Sequence, residues 1–220
     1  MVVALAGVGD FGPLAARARP RPATTPGLRY ARTLDVLRLR PSGNGLPDFR
    51  RTLFISFWDS DEAATDWEHG SPFAARLGYL AHLEPINQYG VHPAVGQVAP
   101  RPGTPVEGPV AVITHGTMGQ LANLPRFMRY GAPATAAVLS SPALLAGVSC
   151  MSAPRTFATF SLWTDTAGMR TAIEGRGDHT GHRLALKERN RRPFLSEDTF
   201  VRFRPLSSRG TWDGVDPLAR

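Results

Sequence analysis

Apolar residues in this chain fall into short runs separated by turn residues, not into long helical stripes. Val2–Val8 is a brief valine-rich run and predicts a strand. LRYARTLDV (28–36) predicts a second, and TLFISFW (52–58), the most apolar, a central third. DSDEAATDWEHG follows with helical spacing, and Asp59, Ser60 and Asp61 can cap that helix and bring negative charge to its positive end. Between these runs, PLAARARPRPA (13–23) allows only a brief helix before Pro20 and Pro22 stop it, and PSGNGLPD (41–48) is turn chemistry. INQYGVHPAVGQV (86–98) predicts a last, irregular strand.

The order then recurs. VAVITHG (110–116) predicts a strand, and QLANLPRFMRY (120–130) a helix interrupted or begun at Pro125. LLAGVSCM and TFATFSLW (156–163) predict strands, TDTAGMRTAIEG and HTGHRLALKERN helix, and DTFVRFRPL a closing strand. FISFWDSDEAATDWEHG aligns without a gap on TFSLWTDTAGMRTAIEG at an offset of 105, matching Ser56 with Ser161, Trp58 with Trp163 and Gly70 with Gly175. TPGL (25–28) matches SPAL (141–144).

Each half therefore reads β-α-β-β-α-β, the ferredoxin-like order. The predicted fold is α+β, with one such repeat over 1–98, a proline-rich linker over 99–109 and a second repeat over 110–220. A sheet with helices on one face leaves its other face to be covered. Two copies can cover each other and form an intramolecular dimeric α/β-barrel, with pockets between sheet and helices or inside the barrel.

Composition narrows the picture. Of 220 residues 42% are hydrophobic, enough for a packed core, and 20 Pro with 22 Gly argue against a helical bundle. The net charge of +7 is carried by scattered arginines, Lys187 being the sole lysine, so no basic stripe marks a nucleic-acid partner. Cys150 is the single cysteine, which excludes an internal disulfide and reads as a buried strand residue. No apolar stretch reaches membrane-spanning length, and MVVALAG lacks the basic start of a signal peptide. The expectation is a cytoplasmic protein with at most peripheral membrane contact, monomer or homodimer.

GVGDFG (7–12) fits the dinucleotide pattern, with Asp35 about twenty residues on, but Pro20 leaves too short a helix to seat a pyrophosphate, and a Gly-rich turn into that helix is the expectation. His179 and His182 stand three apart on one predicted helix, with Leu186 further along the same face, where they either present an imidazole to an apolar cavity or are plain solvated histidines on an Arg-rich helix. Zinc needs three or four ligands, whereas heme iron needs a single proximal histidine. His115 ends an apolar strand and can point into the barrel as a polar group over a cofactor, or be a plain strand-end residue. Arg126 and Arg129 can pair with carboxylates of a buried cofactor or lie on the surface. Trp163 and Phe160 read first as core, second as cofactor contacts. No P-loop, Ser-His-Asp order or paired-carboxylate spacing stands out.

SEDTFVRFRPLSSRGTWDGVDPL (196–218), TFSLWTD (159–165) and PRFMRY (125–130), with TPGLRYARTL and FISFWDS in the first half, resemble the spheroidene monooxygenase family of carotenoid-modifying enzymes. The resemblance spans most of the chain and is most specific in the C-terminal segment. It implies a heme-dependent monooxygenase that puts oxygen on an apolar small molecule, a carotenoid or another natural-product intermediate. It further implies heme b as the iron cofactor, O₂ as co-substrate and an external electron donor such as a ferredoxin. HRLALKERNRRPFLSEDTFVRF matches the family's register best with His182 as the axial ligand, His179 second. A dehydratase or N-oxygenase on the same barrel, or a cofactor-free binder of an apolar ligand, are the alternatives. Only the second repeat carries the two histidines, so that repeat is expected to hold the cofactor, with the first closing the barrel.

Overall fold

The computed structural model describes residues 2–10, 19–40, 43–98, 107–152, 154–174 and 180–219, with side chains described at all of these except 38–40, 43–46, 174 and 180–182. Eight strands run in chain order: β1 Val3–Asp10, β2 Leu28–Arg40, β3 Gly43–Trp58, β4 Tyr79–Tyr89, β5 Val110–Thr117, β6 Leu144–Ser152, β7 Thr156–Trp163 and β8 Glu197–Gly210. The described helices are α1 Asp61–Gly70, α2 Leu124–Leu139, α3 Thr166–Glu174 and α4 Thr180–Arg191, with single 3₁₀ turns at Ala74–Arg76 and Leu121–Asn123.

The strands close into one barrel in the order β1-β3-β2-β6-β7-β5-β8-β4, every pair antiparallel. Within it, β4-β1-β3-β2 and β8-β5-β7-β6 have the same arrangement, each strand of the first run matched by one four places later in the chain. The runs join through β2 with β6 and β4 with β8, so neither leaves an open edge. The registers repeat as well. Val3 lies opposite Trp58, and Val110 opposite Trp163. Leu28 pairs with Trp58 and Leu144 with Trp163, and in both cases the ladder shifts register immediately afterwards. This is the α+β, tandem ferredoxin-like barrel that the alternating runs predict.

Alternation sends one face of every strand into the barrel and the other toward the helices. The barrel holds Ala4, Ala6, Tyr30, Phe57, Ile113, Phe160 and Phe203 among others, and Cys150 is buried there as expected. Two smaller apolar clusters lie outside, one around Trp58 against α1 and one around Trp163 against α3. Ser60 caps α1 by accepting a hydrogen bond from the Ala63 N–H at 3.2 Å, and Pro125 stands in the first turn of α2.

Some expectations are corrected. The final strand of the first half is Tyr79–Tyr89, and 90–98 is a loop that sends Val95 and Val98 into the barrel core. Pro85 is tolerated within this strand because β1 pairs with β4 only from Tyr79 to Leu83. The turn residues at 43–48 are already strand, extending β3. The expected helix over 13–23 falls mostly on 11–18, outside the described residues; 19–27 form turns. Gly7 and Gly9 lie within the β1 ladder, so no Gly-rich turn exists at 7–10 to cradle a phosphate; residues 11 and 12 lie outside the described residues. Gly7 is glycine because a Cβ there would come within 2.8 Å of the Tyr79 carbonyl oxygen.

Candidate ligand site

The two outer sheet faces differ. In the first half Phe54 projects from β3 and stacks on Trp67 of α1 at 5.4 Å between ring centroids, with Phe73 edge-on at 5.1 Å. Together with Leu5, Trp58 and Leu77 they fill the space under α1. In the second half the position equivalent to Phe54 is Thr159, and its neighbours across β5 and β6 are Thr114 and Ser149. Here a cavity of about 240 Å³ remains between sheet and helices.

Its floor is β5, β6 and β7, through Val112, Thr114, Gly147, Ser149, Thr159 and Ser161. One wall is the stripe Phe127, Gly131, Ala134, Thr135 and Val138 of α2. The opposite wall is α4, through Ala185, Leu186 and Arg189, with Phe194 and Phe200 beyond. The lining is mostly apolar. Its one described cation, Arg189, donates from Nε and Nη2 to Asp198 Oδ2 at 3.0 and 2.7 Å and lies over the Phe200 ring at 4.6 Å. Nothing in the sequence reading pointed to Arg189, because its helix face and its Asp198 partner become visible only once α4 is laid against β8.

The predicted residues distribute as follows. Trp163 is buried and borders the cavity, its Nε1 donating to Ser161 Oγ at 2.9 Å, as Trp58 Nε1 donates to Ser56 Oγ at 2.8 Å in the first half. Phe160 borders it too, although its ring packs in the barrel core 5.6 Å from that of Trp212. Arg126 does not face the cavity. It ties α2 to the end of α4, donating to Glu188 Oε1 at 2.7 Å and to the carbonyls of Arg192 and Pro193, with its guanidinium over Phe194. Burial opposes ionisation of Glu188 only weakly, and the hydrogen bonds from Arg126 and Arg191 hold its carboxyl below the usual range. Arg129 is exposed and lies 5.8 Å from the Tyr130 ring centroid. His179 lies outside the described residues. Position 182 is in the backbone of α4, one turn before Leu186, and its side chain lies outside what is described.

His115 points into the barrel, on the opposite face of the sheet from the cavity. Tyr30 lies against it, with the phenol oxygen 2.7 Å from His115 Nε2. Burial raises the Tyr30 phenol, so its O–H is the donor and Nε2 the acceptor. Burial, reinforced by the neighbouring His92 and Arg32, lowers His115 to about 3, so the ring is neutral with its proton on Nδ1. That nitrogen has no hydrogen-bond partner among the described residues. The His92 ring meets His115 edge-on at 4.4 Å, receives the Ala94 N–H at Nδ1 and donates to Thr117 Oγ1 at 3.0 Å.

Among the described residues no cluster of His, Cys, Asp and Glu could hold a metal ion, and no helix is long and apolar enough to cross a membrane. No protein-family model matches the chain. Among solved structures, a crystal structure of aldoxime dehydratase in complex with butyraldoxime superposes with a TM-score of 0.51 at 11% identity, covering 93% of this chain and 79% of that one, a likeness of fold. Spheroidene monooxygenase of Rubrivivax gelatinosus is 31% identical over 206 residues, covering 86% of this chain and 73% of that protein. Spheroidene monooxygenase of Rhodobacter capsulatus matches locally, 41% identical over 61 residues, 28% of this chain and 24% of that protein. Both relatives carry the name of a monooxygenase, an oxidoreductase. This chain belongs to the spheroidene monooxygenase family.

Proposed function

We propose that this chain is a heme-dependent monooxygenase acting on an apolar small molecule, a carotenoid or another natural-product intermediate, in the cavity of its second half. The observation that carries this reading is the contrast between the halves. One outer face of the duplicated fold is filled with aromatic rings and the other leaves a cavity. A face left unpacked forgoes burial, and a cavity kept at that cost is the ordinary mark of a ligand site.

The residues present fit heme. The walls are apolar and aromatic, as a macrocycle requires, and the one described cation of the lining, Arg189, stands at the edge paired with Asp198. Helical periodicity puts position 182 on the stripe of α4 that supplies Ala185, Leu186 and Arg189, so His182 is the residue that would hold the heme iron, with His179 second. Bound there, heme would supply the activation of O₂, with electrons from an external donor such as a ferredoxin.

The chain's own residues do the rest. Phe127, Val138 and Leu186 give the substrate an apolar, water-poor surface. Arg126, through Glu188 and the 192–193 carbonyls, holds α4 against α2 and is a positioning residue rather than a contact to the cofactor. His115, on the other face of the sheet, stiffens the barrel end beneath the site.

The test is an absorption spectrum of the protein loaded with hemin. A Soret band that is lost in His182→Ala and kept in His115→Val is the expected result. A wild-type protein that takes up no heme overturns the reading.

A further inference from the structure

Thr114, Thr159 and Ser149 stand directly opposite one another on β5, β7 and β6. With neighbouring strands ~4.8 Å apart, they form one row of about 10 Å across the cavity floor. All of them line the cavity, and no hydrogen bond joins any of their hydroxyls to another described residue. None is sealed from the cavity either, since the buried polar atoms without partners lie elsewhere, on Tyr79, Glu84, His115 and Arg126. One row further along the strands, Ser161 is the only hydroxyl, and it is engaged by Trp163. The first half has no such row: the equivalent positions hold Gly7, Phe54 and Thr33.

An apolar ligand laid over this floor strips water from each hydroxyl, which is unfavourable unless the ligand returns a hydrogen bond. The one described cation of the lining is already neutralised by Asp198, so among the described residues no free charge favours an anion, and the unpaired hydroxyls of the row suit an uncharged group. We propose that the Thr114–Thr159–Ser149 row is a hydrogen-bonding subsite for a neutral oxygen function, hydroxyl or keto, borne by an otherwise apolar ligand. This rests on the reading of the cavity as the ligand site and names the class of molecule it prefers. A pure hydrocarbon is the disfavoured case. The substrate would therefore come from a reaction that has already placed oxygen on the skeleton.

The experiment compares 4-phenylbutan-2-one with n-butylbenzene, a pair differing by a carbonyl in place of a methylene, by titration calorimetry. The wild type should bind the ketone roughly two- to tenfold more tightly than the hydrocarbon, the range a single net hydrogen bond provides. Thr159→Val and the triple variant Thr114→Val/Thr159→Val/Ser149→Ala should erase that preference while keeping hydrocarbon affinity. Thr159→Ser, which keeps the hydroxyl, should retain it and controls for misfolding. Equal affinities in the wild type, a preference that survives in the triple variant, or binding of neither probe would each overturn the proposal. Loss of the heme spectrum with the ketone preference intact would remove the cofactor reading alone.

Discussion

The first and second halves share strand order, register and even the position of a bulge, yet Phe54 fills one outer face and Thr159 opens the other. The backbone alone therefore does not make the site. One position on the central strand, and what the following helix offers it, decides whether the same scaffold is a packed wall or a pocket. Trp67 and Phe73 meet Phe54 in the first half; α3 and α4 bring Ile173, Ala185 and Leu186 in the second.

Breaking the packed half should have the largest effect. Phe54 is fully buried, so Phe54→Ala should destabilise the protein by about 3–5 kcal/mol, read as a lower denaturation midpoint. Stability within 1 kcal/mol of wild type, an order-of-magnitude bound on ordinary surface changes, would mean that the aromatic stack is not what holds this face.

A second asymmetry lies inside the barrel, where Val8 occupies the first-half place of His115. His115 is lowered by burial, then by His92 and Arg32, from the usual 6.5 to about 3. The unfolded chain takes up a proton near pH 6.5 that the folded chain refuses. Stability is then independent of this group above 6.5 and is lost as pH falls from 6.5 toward 3, by up to about 1.4 kcal/mol per pH unit. His92, lowered by burial, acts in the same direction. His115→Val, which copies the first half, should flatten that slope in denaturant titrations at pH 7 and pH 5. An unchanged slope would contradict a neutral, buried His115.

The smallest expected effect probes what the halves have in common. Removing the indole partner with Ser56→Ala should cost about 1 kcal/mol, and Ser161→Ala less, because Ser161 borders the cavity and leaves room for water at the indole N–H. Equal losses would mean that the two Ser–Trp pairs sit in equally dry surroundings.

The duplication was legible because FISFW and TFSLW encode the same alternation, the same serine–tryptophan pair and the same onset of a helix. The face chosen by His115 was legible from that alternation too. The cavity was not. Thr114, Ser149 and Thr159 are separated by 35 and 10 residues in the chain and become neighbours only through strand pairing. The partners of Arg126 were hidden for a similar reason: PRFMRY shows an arginine on a helix, while Glu188 and the 192–193 carbonyls that occupy it come from the far end of α4. β4 was displaced because the residues at 86–98 were read as the strand, and the pairing of Tyr79–Tyr89 with β1 and β8 that places it earlier is a fact of three dimensions.

The central claim, that the open face of the second half is where heme and substrate go, is tested most directly by giving that half the residue of the first. Thr159→Phe should leave the thermal midpoint at or above that of the wild type and abolish the Soret band on hemin titration. A Thr159→Phe protein that binds heme as the wild type does would show that the cavity under α2 and α4 is not the cofactor site.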